Sequence, residues 1–185
     1  MNEALSTIEN IMNMSDCLFD NSQVNTAINK MSQSINHDLK DLNPVVISVM
    51  NGGLVFAGQL LTQLNFPLRV DYCHATRYRG KLEGTELHWK VMPQFDLRGQ
   101  NILLLDDIYD EGHTLMAIIE SLKAQQVSRI DTAILVNKIH DRKADPEYTP
   151  DYVGLEVPDR YVFGYGMDYK EFWRNAPGIF AVKQE

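Results

Sequence analysis

Residues 102–115 read "ILLLDDIYDEGHTL", and this stretch decides the fold class. Four apolar residues run into two adjacent carboxylates, Asp106 and Asp107, as at the end of a buried strand. A helical pattern follows directly, because apolar residues recur at the spacing of one helical face, at Leu115, Ile118, Ile119 and Leu122. The stretch therefore predicts a strand, an acidic turn and a helix in immediate succession.

Further buried strands are predicted on both sides of this unit. The segments "VVISVM" (45–50) and "RIDTAILVN" (129–137) are apolar and rich in β-branched residues, while "LRVDYCHA" (68–75) alternates. An apolar helical face over 54–64 lies between two of these strands. This order indicates an α/β fold with a mostly parallel central sheet flanked by helices. In such sheets ligands bind beyond the carboxyl ends of the strands, where the acidic turn lies.

The length of 185 residues predicts one domain over the whole chain, 1–185. An amphipathic helix near 22–40 and an irregular C-terminal region fall outside the alternation, and we expect them to help cap the ligand edge. Segment 76–90 is polar and charged with two glycines, which predicts a long exposed hairpin or a mobile loop. The predicted division is a core at about 40–140 and a small hood from about 1–20 and 150–185.

The composition counts against several classes of partner. A formal net charge of −8 is unfavourable for nucleic-acid binding. The two cysteines, Cys17 and Cys73, are too few for a disulfide framework and lack metal-ligand spacing. The N-terminal "MNEALSTIEN" has no basic flank or apolar run, and no apolar stretch approaches the ~20 residues of a membrane span. We therefore expect a cytoplasmic protein with no membrane partner.

The acidic turn combines two binding preferences. The N-terminus of the following helix attracts an anion, Gly112 lets the backbone approach it closely, and Thr114 supplies a hydroxyl. Asp106 and Asp107 suit hydroxyl donors or Mg²⁺. A sugar phosphate satisfies both preferences, with solvated loop acids as the ordinary alternative. There is no P-loop and no G-x-G-x-x-G, and "DDIYD" leaves a strand, unlike the helical acids of prenyl-transfer enzymes.

Residues 102–115 resemble the phosphoribosyl-pyrophosphate signature of the type I phosphoribosyltransferases. That signature is an apolar strand, two acids, two further positions, an Asp, a variable residue, Gly, a variable residue and Thr. Three more segments resemble the hypoxanthine-guanine branch, in the family's order: "VVISVMNGGLVFAGQLL" (45–61), "LVNKIHDR" (135–142) and "PDYVGLEVPDRYVFGYGMDYKEFWR" (150–174). Together the match covers about residues 44–180.

The resemblance implies purine salvage. The 5-phosphoribosyl group would pass from phosphoribosyl pyrophosphate to N9 of hypoxanthine or guanine, with Mg²⁺ as cofactor and IMP or GMP and pyrophosphate as products. Asp110 would accept the purine proton, contributing about 10²–10⁴-fold to the rate. The ribose and 5′-phosphate would be held by Asp106, Asp107, Asp110, Glu111, Gly112, His113 and Thr114.

The remaining roles implied by the resemblance divide into three sets. Pyrophosphate would be bound by Asn51, Gly52, Gly53, Arg77, Tyr78, Arg142 and Arg174. The purine would be bound by Lys138, Tyr161, Val162 and Asp168. Mg²⁺ would be bound by Asp106, Asp107 and Asp168.

Several positions depart from the commonest pattern of this family. Asn51 replaces the usual Lys before the glycine pair, and Arg77-Tyr78 replaces Ser-Tyr in the lid. Glu111 and His113 stand where Thr and Lys are frequent, and we expect the Glu111 side chain to point away from the phosphate. The family often has a non-proline cis peptide here, for which the Met50–Asn51 bond is the candidate.

Two other functions remain open at the level of the sequence. A phosphoribosyltransferase-fold regulator would sense nucleotides and bind RNA, although the charge of −8 is unfavourable for it. A xanthine-preferring enzyme would share all the residues above, because the purine 2-position is read largely by backbone. For the subunit state, the resemblance implies a homodimer or homotetramer.

Overall fold

The structure, a computed structural model, describes residues 8–77 and 87–183. In chain order the elements are β1 (Ser15–Asp20), α1 (Asn21–Leu39), β2 (Val45–Val49), α2 (Gly53–Leu61), β3 (Arg69–Arg77), β4 (Leu87–Val91), β5 (Asn101–Tyr109), α3 (His113–Ala124), β6 (Arg129–Ile139), β7 (Tyr152–Pro158), β8 (Val162–Phe163) and β9 (Gly178–Val182). Six strands form a central sheet in the order β4-β3-β2-β5-β6-β7. All neighbours in it are parallel except the pair β3 and β4, so the predicted mostly parallel sheet is confirmed.

Helices pack on both faces of this sheet. Because successive residues of a strand point to opposite sides, each strand contributes to two hydrophobic cores. In β5, Leu103 and Leu105 belong to the core beneath α1 and α2. Ile102 and Leu104 belong to the core beneath α3. The four apolar residues predicted on the inner face of α3 are all buried there. A strand buried on both faces needs a continuous apolar run, as residues 102–105 show.

The first helix, α1, begins with a capping box. The Asp20 side chain accepts from the backbone N–H of Gln23 at 2.9 Å, and the Gln23 side chain accepts from the N–H of Asp20 at 2.9 Å. The buried face of α1 includes Val24, Ile28 and Ile35, and it packs against β7 and α2. This helix therefore lies on the central sheet and also contacts β1 and β9, so its contribution to the cap stays a prediction.

A second, three-stranded sheet of order β1-β9-β8 joins the two ends of the chain. Its pairs are antiparallel, with Cys17 opposite Phe180 and Val162 opposite Ala181. This sheet corresponds to the predicted hood, but the boundary near residue 150 differs. Residues 152–158 form β7 and pair with β6, so the central sheet continues to Pro158.

The described ends of segment 76–90 belong to two antiparallel strands, while the rest of the predicted hairpin or loop, residues 78–86, lies outside the described residues. His74 pairs with Val91, and Thr76 pairs with His88, in the antiparallel ladder of β3 and β4. The predicted lid residue Tyr78 lies outside the described residues, and Arg77 is described only as the last residue of β3. Among the helices that the structure describes, none has the length and apolar character needed to cross a membrane.

Candidate functional site

Asp106 and Asp107 lie within β5, and their carboxyl groups are close enough to interact with each other. The strand extends to Tyr109 because its pairing with the long β6 continues as far as Asn137. Asp106 lines a cavity of about 660 Å³, and Asp107 lines a neighbouring one of about 390 Å³. Burial raises the pKa of both carboxyl groups, and the charge of Asp107 raises that of Asp106 further. The two neighbouring acids therefore serve different cavities.

The larger cavity, here the phosphate cavity, lies at the N-terminus of α3. Its lining includes all the residues predicted for the 5′-phosphate, Asp110, Glu111, Gly112, His113 and Thr114. Gly112 has φ +84°, and a Cβ there would overlap the ring of Tyr109. A residue with a side chain is therefore excluded where the chain turns into the helix. The free N–H groups and dipole of the helix end favour an anion in this cavity.

Lys143 anchors the loop that forms the phosphate cavity. Its Nζ donates to the carbonyl oxygens of Tyr109 and Asp110 at 2.8 and 2.7 Å, and to Asn137 Oδ1 at 3.1 Å. The ammonium also lies 3.8 Å from the centroid of the Tyr109 ring. Burial lowers the pKa of Lys143, and the charge of Asp110 acts in the opposite direction. Sequence reasoning missed this residue, because a lysine in a charged loop carries no distinguishing signal.

Asp110 lines both cavities and is held from two sides. Lys138 Nζ lies 2.6 Å from Asp110 Oδ2, and His140 Nε2 lies 2.8 Å from Oδ1. Burial alone would raise the pKa of Asp110, but its hydrogen bonds with Lys138 and His140 and the charge of Lys138 outweigh this effect and lower the pKa. His140, which sequence reasoning also missed, thus contacts the residue predicted to take the proton.

The Glu111 side chain is about half exposed and lies toward Arg142 and His113. Its carboxylate is 4.0 Å from Arg142 Nε and 3.7 Å from His113 Nε2. Its own carbonyl accepts from the N–H of Ala144 at 2.7 Å. The Arg142 guanidinium donates two hydrogen bonds to the Asp159 carboxylate, at 2.6 and 2.9 Å. Contact between Arg142 and pyrophosphate stays a prediction, because this carboxylate occupies its fork here.

The smaller cavity, here the base cavity, contains the four residues predicted for the purine. Lys138 and Val162 are buried at its wall, whereas Tyr161 is 52% exposed. The Tyr161 ring packs edge-on against Tyr169, with centroids 5.6 Å apart. Asp168 completes the set, and Asp107 and Asp110 line the same cavity.

Asp168 is fixed in place by Arg174. The guanidinium donates to Asp168 Oδ1 at 2.6 Å and to the carbonyl of Gly166 at 2.7 Å. The other carboxylate oxygen accepts from the N–H of Glu171 at 2.7 Å. In this arrangement Arg174 orients an acid of the base cavity, and its predicted contact with pyrophosphate stays a prediction.

The glycine loop after β2 packs against the acids of β5. The Met50–Asn51 bond is cis, as predicted. A Cβ on Gly52 would overlap the carboxylate of Asp107, and one on Gly166 would overlap the carbonyl oxygen of Gly52. The backbone of the glycine loop therefore contacts the Asp107 carboxylate and the backbone of the hood, with no room for a side chain at Gly52 or Gly166. Contacts of Asn51, Gly52 and Gly53 with pyrophosphate stay predictions.

Two groups of acids could attract a divalent cation. Asp110, His140 and Asp159 have ligand atoms within 4.8 Å of one another, but Lys138 and Arg142 already pair with the two acids. Asp106 and Asp107 form no ion pair with any lysine or arginine among the described residues. Buried carboxylates without a paired cation fit a hard metal ion, which prefers oxygen ligands.

The sequence matches the phosphoribosyl transferase domain family over residues 14–171. It is 32% identical over 176 residues to the hypoxanthine-guanine phosphoribosyltransferase of Staphylococcus epidermidis, covering 93% of this chain and 96% of the relative. The crystal structure of a hypoxanthine phosphoribosyltransferase from Staphylococcus aureus superposes with a TM-score of 0.87 and 26% identity, covering 96% of this chain and 95% of that one.

A hypoxanthine-guanine phosphoribosyltransferase from Bacillus anthracis gives a TM-score of 0.83 at 26% identity, covering 92% of this chain and 99% of that one. The family match thus spans most of the chain, and it includes both cavities and the acidic turn between them. The chain belongs to the phosphoribosyl transferase domain family.

Proposed function

We propose that this enzyme transfers the 5-phosphoribosyl group from phosphoribosyl pyrophosphate to N9 of hypoxanthine or guanine. The products are IMP or GMP and pyrophosphate. The position of Asp110 supports this most directly, because its carboxylate lines both the phosphate cavity and the base cavity. A sugar phosphate in the first and a purine in the second would therefore meet at this side chain. The named relatives support the same reaction.

The proposed reaction breaks the bond between C1 of the ribose and pyrophosphate and forms one between C1 and purine N9. Asp110 accepts the proton that the base releases, which its lowered pKa permits at neutral pH since the carboxylate is ionised. The phosphate cavity holds the 5′-phosphate through the backbone N–H groups at the start of α3. Asp106 and Asp107 accept hydrogen bonds from the ribose hydroxyls.

Lys138 selects the base in this proposal. Its ammonium lies at the wall of the base cavity and can only donate hydrogen bonds. A 6-oxo group accepts such a bond, whereas the 6-amino group of adenine presents hydrogens to it. Tyr161 would stack on the ring, and the backbone of Val162 would contact its edge.

Mg²⁺ is the proposed cofactor, with Asp106, Asp107 and Asp168 as the residues that would hold it. The fit rests on the unpaired buried carboxylates of β5 and on Asp168, whose carboxylate Arg174 fixes at the base cavity. Bound Mg²⁺ would neutralise charge that develops on the departing pyrophosphate.

We also propose that copies of this chain associate as a homodimer or homotetramer. The helices α1 and α2 cover the face of the central sheet on which Val46 of β2 is buried. They leave the same face of the neighbouring β3 uncovered. Val70 and Tyr72 on that face are 52% and 41% exposed. Two large apolar side chains exposed side by side are typical of a surface that another copy of the chain covers. A cytoplasmic location stays a prediction.

A panel of free bases tests the proposed reaction. Purified protein with phosphoribosyl pyrophosphate and Mg²⁺ should convert hypoxanthine or guanine to the nucleotide, and chelation of Mg²⁺ should abolish the conversion. Adenine and uracil should react poorly, and xanthine is included because the relatives do not decide its rank. Failure with every base would overturn the proposal. Gel shifts with RNA at low salt check the regulator hypothesis, which the named relatives do not support.

A further inference from the structure

His140 occupies a position that its sequence context does not mark as functional. The residue follows β6, its side chain is only 3% exposed, and Nε2 lies 2.8 Å from Asp110 Oδ1. The second oxygen of Asp110 is 2.6 Å from Lys138. Because the Asp110 side chain is still 43% exposed, its remaining lone pairs face the cavities.

The backbone determines which nitrogen of His140 carries the proton. Nδ1 accepts a hydrogen bond from the N–H of Arg142 at 3.1 Å. A ring nitrogen that accepts a hydrogen bond carries no hydrogen, so the hydrogen that His140 offers to Asp110 is on Nε2. His140 is therefore a donor to Asp110, and its tautomer is set by a backbone group that cannot titrate.

Lys138 and His140 hold Asp110 in different ways. In the proposed function Lys138 also binds the 6-oxo group of the base, so it must divide its hydrogens between base and carboxylate. His140 has no such second duty, because it is buried beside Asp110 and its other nitrogen is engaged. We propose that His140 is a positioning residue that aims the Asp110 carboxylate and keeps it ionised while Lys138 binds the purine. This inference rests on the proposed function for the role of Asp110.

The charges around this pair are otherwise balanced. Asp159 approaches His140 and Asp110 from the end of β7, and Arg142 neutralises it through two hydrogen bonds. The charged groups that face the pair, besides Lys138, are Glu111, Arg142, Lys143 and Asp159. Since Asp159 already has its cation, the Nε2 hydrogen is directed at Asp110 alone among the described partners.

Removal of the donor should change the titration of Asp110. The N–H of His140 favours the ionised carboxylate, so a variant without it has a higher pKa at Asp110. The base is then protonated up to a higher pH, and the acid limb of the pH–rate profile moves upward. Because the carboxylate is also aimed less well, kcat should fall about tenfold or more, with KM for phosphoribosyl pyrophosphate nearly unchanged.

The test compares three variants of the full chain. His140→Met and His140→Leu fill the space without a donor, and His140→Gln keeps an amide N–H that can reach Asp110. The pKa of Asp110 is measured by ¹³C NMR of aspartate carboxyl groups, with Asp110→Asn identifying its resonance. Steady-state kinetics against pH are measured alongside, and thermal melts check folding. His37→Leu, on the exposed side of α1, is the matched control and should leave every readout unchanged.

The expected result is a raised Asp110 pKa and lowered kcat in both donor-free variants, with rescue by His140→Gln. An unchanged pKa in the donor-free variants overturns the inference, as does a Gln variant as impaired as Met. If the donor-free variants do not fold, wild-type behaviour of His140→Gln supports the inference and a loss overturns it. Absence of transfer by the wild-type protein overturns the proposed function instead, while the NMR titration still decides what His140 does to Asp110.

Discussion

Most charged side chains around the two cavities are compensated in pairs. Lys138 pairs with Asp110, Arg142 with Asp159, and Arg174 with Asp168. A buried charge is tolerated only when a partner or hydrogen bonds replace its hydration. Asp106 and Asp107 lack a cationic partner within the described part of the chain, so the binding of a cation there should relieve the cost of their burial.

Lys138 provides a prediction about selectivity. Lys138→Ala should lower kcat/KM for hypoxanthine more than kcat/KM for adenine, reducing the ratio at least about tenfold, because the lost donor serves only a 6-oxo group. The ratio is the useful measurement, since any change in Asp110 affects both bases alike. Competition assays with the two bases give it directly. An unaltered ratio would remove Lys138 from base selection.

Gly112 provides a prediction about stability. Gly112→Ala places a Cβ against the Tyr109 ring at φ +84°, so the free energy of unfolding should fall by at least about 1–2 kcal/mol, and KM for phosphoribosyl pyrophosphate should rise. Gly58→Ala is the matched control, because its Cβ meets nothing within 4 Å in the middle of α2. That change should stabilise the protein by about 0.5–1 kcal/mol. Urea unfolding measures both, and equal effects would contradict the account of Gly112.

At the scale of elements, the loop between β5 and α3 depends on the segment after β6. Lys143 and Ala144 hold the loop through the carbonyls of Tyr109, Asp110 and Glu111. These contacts join residues more than 30 apart in sequence. The shape of the phosphate cavity is therefore set by two segments, of which only one carries the family signature.

Lys143→Met tests this dependence. The variant keeps the length of the side chain but loses three hydrogen bonds from a charged donor, so the free energy of unfolding should fall by about 1–3 kcal/mol. KM for phosphoribosyl pyrophosphate should rise as the loop loosens. Lys123→Met is the control, because that lysine is exposed and pairs only with exposed Glu120. Equal losses in the two variants, measured by urea unfolding and kinetics, would refute the anchoring role.

At the scale of the whole molecule, the uncovered face of β3 predicts association. Tyr72→Lys places a charge on the proposed interface, so the protein should sediment as a smaller species in analytical ultracentrifugation. Met14→Lys adds the same charge at another exposed apolar residue and should leave the subunit number unchanged. If both variants sediment at the same rate as the wild-type protein, the interface lies elsewhere.

The sequence predicted what depends on local pattern. The apolar strands, the inner face of α3 and the turn at Gly112 follow from contiguous segments, whereas the residues predicted for the base cavity were implied by the family resemblance. His140 and Lys143 could not be found in this way, because their partners lie 30 and 34 residues away. The place of β7 in the central sheet was missed for another reason: its pairing with β6 is a long-range contact that the residues of β7 alone do not specify.

Asp106 and Asp107 line different cavities, and this has a consequence for how the chain can change its length. Side chains in a strand alternate, so inserting or deleting one residue between Leu105 and Asp106 would exchange the cavities that the two acids face. Apolar residues before them can be exchanged for one another at modest cost, since only volume is at stake. In libraries of variants, residues 102–107 should therefore accept many substitutions at the four apolar positions and no insertion or deletion of a single residue.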